Sequence, residues 1–262
     1  MYSITPSLSV EQFINNDPSV DVTYDPANKS YVLQSTSSGV NLVVDALSQT
    51  LKQSDKDPVK SDASFTVYHS GATDARILNP GSDNPAIALT YTSFAEVTKP
   101  TTYGTYPSTT TYYVPFGGET LSYQMPLSGK ATYSGVVYGQ GWDGVTASES
   151  KVSGASKFSV DFGTGAANMV LSLNATSNST NATRSVGEFN YLGGGCNGPC
   201  GSNQIGLGDN DPGLFNSLVT GKFFGPNAAE FGATFFLNIS ATDGHAEHQS
   251  SFTGVTVGKK DP

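Results

Sequence analysis

The ten residues Glu230-Phe-Gly-Ala-Thr-Phe-Phe-Leu-Asn-Ile239 carry an apolar side chain at every second position, the period of a strand with one face in a core. Just upstream, Gly225-Pro-Asn227 supplies turn chemistry and Gly221-Lys-Phe-Phe224 a preceding strand. The same texture runs outward in both directions. Ala131-Thr-Tyr-Ser-Gly-Val-Val-Tyr138, Lys157-Phe-Ser-Val-Asp-Phe162, Asn168-Met-Val-Leu-Ser-Leu173, Gly187-Glu-Phe-Asn-Tyr191 and Ser251-Phe-Thr-Gly-Val-Thr-Val257 repeat it, separated by Gly, Asn or Asp turns. An antiparallel set of about eight such strands can close on itself and so remove its exposed edges. The expectation is an all-β chain with a small up-and-down β-barrel over residues 126–262.

Before Pro126 the pattern is less regular. Tyr31-Val-Leu-Gln34, Ser64-Phe-Thr-Val-Tyr-His69 and Ala86-Ile-Ala-Leu-Thr-Tyr-Thr92 read as short sheet pieces within a β-rich region 1–125. Val40 to Leu51 fits either a helix face or a strand. Residues 98–116 contain Pro100, Pro107 and Pro115 among many Thr and Tyr, and a proline lacks the donor a central strand needs. That stretch reads as a linker or long surface loop.

Composition agrees with strands and turns. Of 262 residues, 29 are Gly and 14 Pro, and charged residues make up 13%, against about 25% in an average soluble domain. Charge repulsion does not keep such a chain unfolded. A net charge of −9 would repel a phosphate backbone, which excludes nucleic acid as a partner. No stretch has the roughly 18 consecutive apolar residues of a spanning helix, and the first residues carry no basic-then-apolar export signal. A signal or lipid-modified cysteine upstream of Met1 stays open.

The run Gly221-Lys-Phe-Phe-Gly-Pro-Asn-Ala-Ala-Glu-Phe-Gly-Ala-Thr-Phe235 resembles the barrel signature of the transferrin-binding protein B group of bacterial surface lipoproteins. Pro126-Leu-Ser-Gly-Lys-Ala-Thr-Tyr-Ser-Gly135, Val160-Asp-Phe-Gly163 and the terminal Val257-Gly-Lys-Lys260 stand in the expected order. Leu89-Thr-Tyr-Thr-Ser-Phe94 is similar to the segment before the barrel in single-lobed, solute-binding members. The resemblance implies a β-rich handle beside an eight-stranded barrel, exported and lipid-anchored on the outer membrane of a Gram-negative bacterium. It also implies a non-enzymatic role: such lobes capture a nutrient or carrier protein for a TonB-dependent transporter. The chain is about the size of one lobe of the two-lobed transferrin receptor, so transferrin does not carry over with the fold. A structural or adhesive surface protein is the alternative. Within the signature, Gly225-Pro-Asn227 suits a turn, Ala228-Ala229 permits close packing, and Glu230 is expected to bond backbone groups near the following strand.

No catalytic group assembles. His69 is followed by Ser70, but the Gly-x-Ser-x-Gly elbow is missing and no carboxylate is assignable to orient a base. Gly244-His-Ala-Glu-His248 offers His245 and His248 as ligands for a metal or haem iron, or as polar filling of a hairpin. No cofactor is required. Asp209-Asn210-Asp211 before Pro212-Gly213 supplies too few oxygens for calcium and reads as an Asx turn. Cys196 and Cys200, with Gly and Pro between and around them, fit a local disulfide, which belongs to an oxidising compartment. Tyr103, Tyr106, Tyr112, Tyr113 and Phe116 either offer contact area on the linker or cover one end of the barrel. The connections most exposed to a ligand are 192–213 and 103–116.

Overall fold

The computed structural model describes residues 19–36, 47–103, 106–194, 202–240 and 249–262. Three antiparallel sheets follow one another along the chain. Strands β1 (Ser19–Asp25), β2 (Ser30–Thr36) and β3 (Ser48–Leu51) form a small sheet. Strands β4 (Lys56–Asp57), β5 (Phe65–Ser70), β6 (Thr73–Leu78), β7 (Thr92–Tyr103) and β8 (Tyr106–Gly117) form a second, in sequence order. Strands β9 (Lys130–Asp143), β10 (Ser148–Asp161), β11 (Ala166–Ser177), β12 (Thr183–Gly194), β13 (Gln204–Asp209), β14 (Leu218–Phe224), β15 (Glu230–Ile239) and β16 (Ser250–Lys260) close into a barrel, β16 pairing back onto β9.

The alternation seen in the sequence sorts side chains between the interior and the wall. Tyr133, Phe158, Met169, Leu171, Phe223, Phe231 and Phe235 point inward and are shut off from solvent. Tyr133, Phe158, Phe223 and Phe231 stack across the axis with ring centroids 5.1–5.9 Å apart. The cylinder is therefore packed with side chains, as an eight-stranded barrel of this bore allows. Phe231 lies opposite Gly258, where a Cβ would come within 2.3 Å of the ring. On β10 and β11 the outward positions include Lys151, Ser153, Lys157, Asn168, Ser172 and Asn174, with Ala155 and Val170 among them, so on this side the wall is mostly polar and the interior apolar, the reverse of a membrane-spanning barrel.

The second sheet is a slab between the barrel and the small sheet, and together these two sheets make the handle. One of its faces carries Phe65, Leu78 and Phe94 onto Val136, Tyr138, Val255 and Val257 of the barrel wall. Fully burying one such aromatic contributes about 1.5–3 kcal/mol. Arg76 lies over the Phe65 ring at 4.7 Å and the Tyr138 ring at 5.6 Å while donating to Glu96 at 2.9 and 2.6 Å. The opposite face carries Tyr68, Ala75, Ile77, Ala95 and Val97 onto Leu33, Leu47 and Leu51.

Three expectations change. Residues 98–116 are not a linker or loop: they fall in the hairpin of β7 and β8. Pro100 faces Thr109, Pro107 faces Thr102 and Pro115 faces Phe94, all in one class of cross-strand pair. Because proline has no N–H to give, this must be the class whose backbone groups point away from the partner. On β7 that direction is where pairing with β6 has already ended at Thr98; on β8 it is the sheet's outer edge. The prolines sit where no ladder bond is asked of them. Second, residues 86–91 are not a strand, although Leu89 is buried; β7 begins at Thr92. Third, the stretch 192–213 is not one long loop, because β12 runs to Gly194 and β13 occupies Gln204–Asp209. Within Val40 to Leu51 the described part is strand β3, and residues 37–46 lie outside the described residues.

Candidate functional site

The signature run builds the turn between β14 and β15. Gly225 has φ 72°, and Asn227 and Ala228 also adopt positive φ, at 56° and 53°. That backbone folds Ala228 over the end of the barrel, where its carbonyl accepts a 2.7 Å hydrogen bond from the Tyr133 hydroxyl. Glu230, 4% exposed, points out of the barrel toward the handle. The expectation that it bonds groups near the following strand is corrected. The N–H of Thr90 donates to Glu230 Oε1 at 2.6 Å, and those of Tyr91 and Thr92 donate to Oε2 at 2.8 Å each. Charge-assisted bonds of this kind are about twice as strong as neutral ones. They occupy both oxygens, so this carboxylate is not a ligand contact.

Among the described residues the opposite rim is formed by turns 144–147, 178–182 and 210–217. Just inside it Asp143, 1% exposed, accepts from Arg184 Nε at 2.7 Å and Nη2 at 2.5 Å, tying the first hairpin of the barrel to the second. Burial pushes the Asp143 carboxyl up, but the Arg184 hydrogen bonds and charge outweigh it and hold the group below the ordinary aspartate value. Around it the hydroxyls of Thr146, Ser148, Ser177 and Ser179 bond one another at 2.9–3.0 Å. Outside the rim stand apolar side chains that the sequence reading missed: Trp142 at 40% exposure, Val145 at 65% and Phe215 at 37%. Their signal was present as phase, since Trp142 is one residue out of step with the inward Asp143 and so faces outward.

Beside Trp142 in the register, Glu149 has a buried Oε1 without a hydrogen-bond partner, and burial raises its pKa above the ordinary glutamate value. A carboxyl raised in the folded state favours folding fully below its unfolded pKa and loses that contribution as pH climbs through the folded one. Replacing Glu149 with Gln is therefore expected to raise the urea midpoint at pH 7 and to leave it unchanged at pH 4. A lower midpoint at pH 7 would mean the charge has a partner.

The sequence candidates do not converge on one site. Asp209 Oδ2 accepts the Ser217 N–H at 3.0 Å and Asp211 Oδ1 the Gly213 N–H at 3.2 Å, so both carboxylates hold the 210–217 turn, with Asn210 exposed between them. Tyr112, Tyr113 and Phe116 belong to β8 and not to a loop: Tyr112 and Phe116 pack toward the small sheet, Tyr113 toward the barrel. Burial, with Glu96 adding to it, pushes the Tyr113 hydroxyl well above its ordinary pKa. Tyr103 and Tyr106 are a backbone pair where β7 meets β8. Cys196, Cys200, His245 and His248 lie outside the described residues. Among the described residues no cluster of three or more His, Cys, Asp or Glu could hold a metal. His69 Nδ1 meets Asp74 Oδ1 at 2.7 Å, but Ser70 is its neighbour along the strand and so faces the other way, toward Gln49 Nε2 at 2.9 Å. No nucleophile and base meet there.

Two hollows among the described residues measure about 180 Å³ in the handle beside Arg76 and Glu96 and about 250 Å³ on the barrel beside Lys157, Asn168 and Asp261. Among the described residues no helix is long and apolar enough to cross a membrane.

No curated protein matches the chain. Among solved structures it is similar to a single-substitution variant of transferrin-binding protein B from Haemophilus parasuis Hp5, with 17% identity and TM-score 0.49 over 93% of this chain and 45% of that one. It is also similar to intact Ap-TbpB with its N and C lobes, with 16% identity and TM-score 0.47 over 93% of this chain and 55% of that one. The chain thus spans about half the length of these proteins. The family described as "C-lobe and N-lobe beta barrels of Tf-binding protein B" matches residues 125–260, a span that takes in all eight barrel strands, the filled interior and the Glu230 turn, and the chain belongs to that family.

Proposed function

We propose that the chain is a non-enzymatic binding lobe on the surface of a Gram-negative bacterium, held there by a lipid anchor. In this reading it captures a nutrient, a metal or haem carrier, or another ligand for a TonB-dependent transporter. The observation that carries it is the filled barrel: with Tyr133, Phe158, Phe223 and Phe231 closing the axis, a partner can be met only on the outer surface. The rim favours a macromolecular partner, because Trp142 and Val145 are exposed at the β9–β10 end of it and Phe215 on the 210–217 turn. Exposed aromatics of this kind are what protein interfaces use as anchors. The matched family is described by the barrels of Tf-binding protein B, so transferrin heads the panel of ligands to be tried, ahead of haem, cobalamin and siderophores.

Calorimetry of the chain against that panel is expected to give saturable binding to at least one member. Trp142→Ala is then expected to weaken it by roughly 30-fold or more, the scale of an interface anchor worth about 2 kcal/mol, with an unchanged circular dichroism spectrum. Silence across the whole panel, or full affinity in the variant, would remove the rim as the contact surface.

A further inference from the structure

The wall between handle and barrel is apolar, made by Phe65, Phe94, Tyr138, Val255 and their neighbours. Apolar burial is non-directional and does not by itself choose one register of one sheet on another. Direction comes from the signature turn. We propose that Glu230 is a latch that sets the register of the handle on the barrel by gripping the arm Thr90-Tyr91-Thr92, so that the run from Gly221 to Phe235 is a docking socket for the handle.

The arm needs such a partner. The N–H of buried Thr92 would otherwise be left without an acceptor, while those of Thr90 and Tyr91, on exposed residues, are drawn onto the same carboxylate and fix the arm's path. The socket is also shaped for it. A Cβ on Gly225 would lie 2.4 Å from the Tyr91 ring, and one on Gly232 would lie 2.7 Å from Cβ of Pro115, so both positions leave room only for hydrogen. The departing end of the handle grips the same turn: the N–H of Gly225 donates to the Gly118 carbonyl at 2.8 Å, and Thr120 Oγ1 donates to the Gly225 carbonyl at 2.6 Å. The Gly118 N–H then donates to the Tyr91 carbonyl at 2.9 Å. The arm, residues 118–120 and the turn form one closed circuit of hydrogen bonds, with Glu230 its only charged member. The latch stands independently of what the lobe binds.

Amide exchange measured by NMR on the full chain tests this. Glutamine offers one acceptor oxygen and one NH2, so in Glu230→Gln at least one of the three N–H groups faces a donor. That amide is expected to exchange about tenfold or more faster, while amides in the β10 and β11 ladder keep their rates. The orientation of the handle relative to the barrel, read from residual dipolar couplings, is expected to shift or broaden in the same variant. Glu230→Ala should release all three amides. If it does not fold, Gly225→Ala pushes on the Tyr91 ring from the other side and is expected to accelerate the same three. Unchanged exchange at all three amides, or equal acceleration throughout β10 and β11, overturns the latch; an unchanged orientation overturns its role in register.

Discussion

Phe231→Ala is expected to destabilise the chain by about 3–5 kcal/mol, the range for deleting a buried aromatic side chain. On a chain of this size that lowers Tm by roughly 10 °C. Phe231 is fully buried and packs on Phe158 at 5.1 Å and Tyr133 at 5.8 Å between ring centroids. The high end of the range follows from what lies behind it. Its cross-strand neighbour is Gly258, which has no side chain to fall into the hole, and the β16 backbone there is tied into the ladder on both sides. A cavity whose walls cannot collapse costs more than one whose neighbours can lean in. Phe215→Ala provides the internal comparison: the same deletion at 37% exposure on the rim is expected to cost only about 1–2 kcal/mol. Denaturation by urea, followed for both variants, decides it. Equal midpoints would mean that the barrel axis is not the packed core described.

What the sequence disclosed follows from that packing. Strands β10 and β11 have a tightly filled interior on one side and water on the other, so their residues had to alternate, and Lys157–Phe162 and Asn168–Leu173 read directly. Strand β13 was invisible because only Ile205 and Leu207 face inward and the outward positions between and after them are Gly206 and Gly208, which look like loop. Residues 86–92 look extended and are half right. Only Thr92 enters a strand; the N–H groups of Thr90 to Thr92 are taken by the carboxylate of Glu230, some 140 positions away, and no local pattern announces such a bond. The prolines misled for the opposite reason, since whether a missing N–H matters depends on which way the register turns it. Of the site, the tyrosines chosen for their loop-like setting prove to be sheet residues. Exposed Trp142 was readable only once the inward phase of β9 was fixed.

Asp143→Ala is the second change with a large expected effect, about 2 kcal/mol or more at pH 7, somewhat below the 3–5 kcal/mol for breaking a fully buried pair because Arg184 keeps some contact with water. Among the groups that lose by it are the Arg184 guanidinium, which donated twice to the carboxylate, and the Val145 N–H, which donated to Oδ1 at 3.1 Å. The pH dependence separates this pair from simple packing loss. Burial opposes the charged form of Asp143 but Arg184 prevails, so the folded pKa lies below the ordinary 3.8. For a carboxyl depressed in the folded state, the stabilisation is complete above the unfolded pKa and disappears as pH falls through the folded one. The gap between the parent and Asp143→Ala is therefore expected to stay constant from pH 7 to about 5 and to shrink below about 3.8. The same pair ties turn 144–147 to the β11–β12 hairpin, so its loss loosens the rim on which Val145 is exposed, and binding there is expected to weaken in parallel. A gap that persists unchanged at pH 2 would mean that Asp143 contributes volume and not charge, and the rim would then owe its shape to the serine hydroxyls around it.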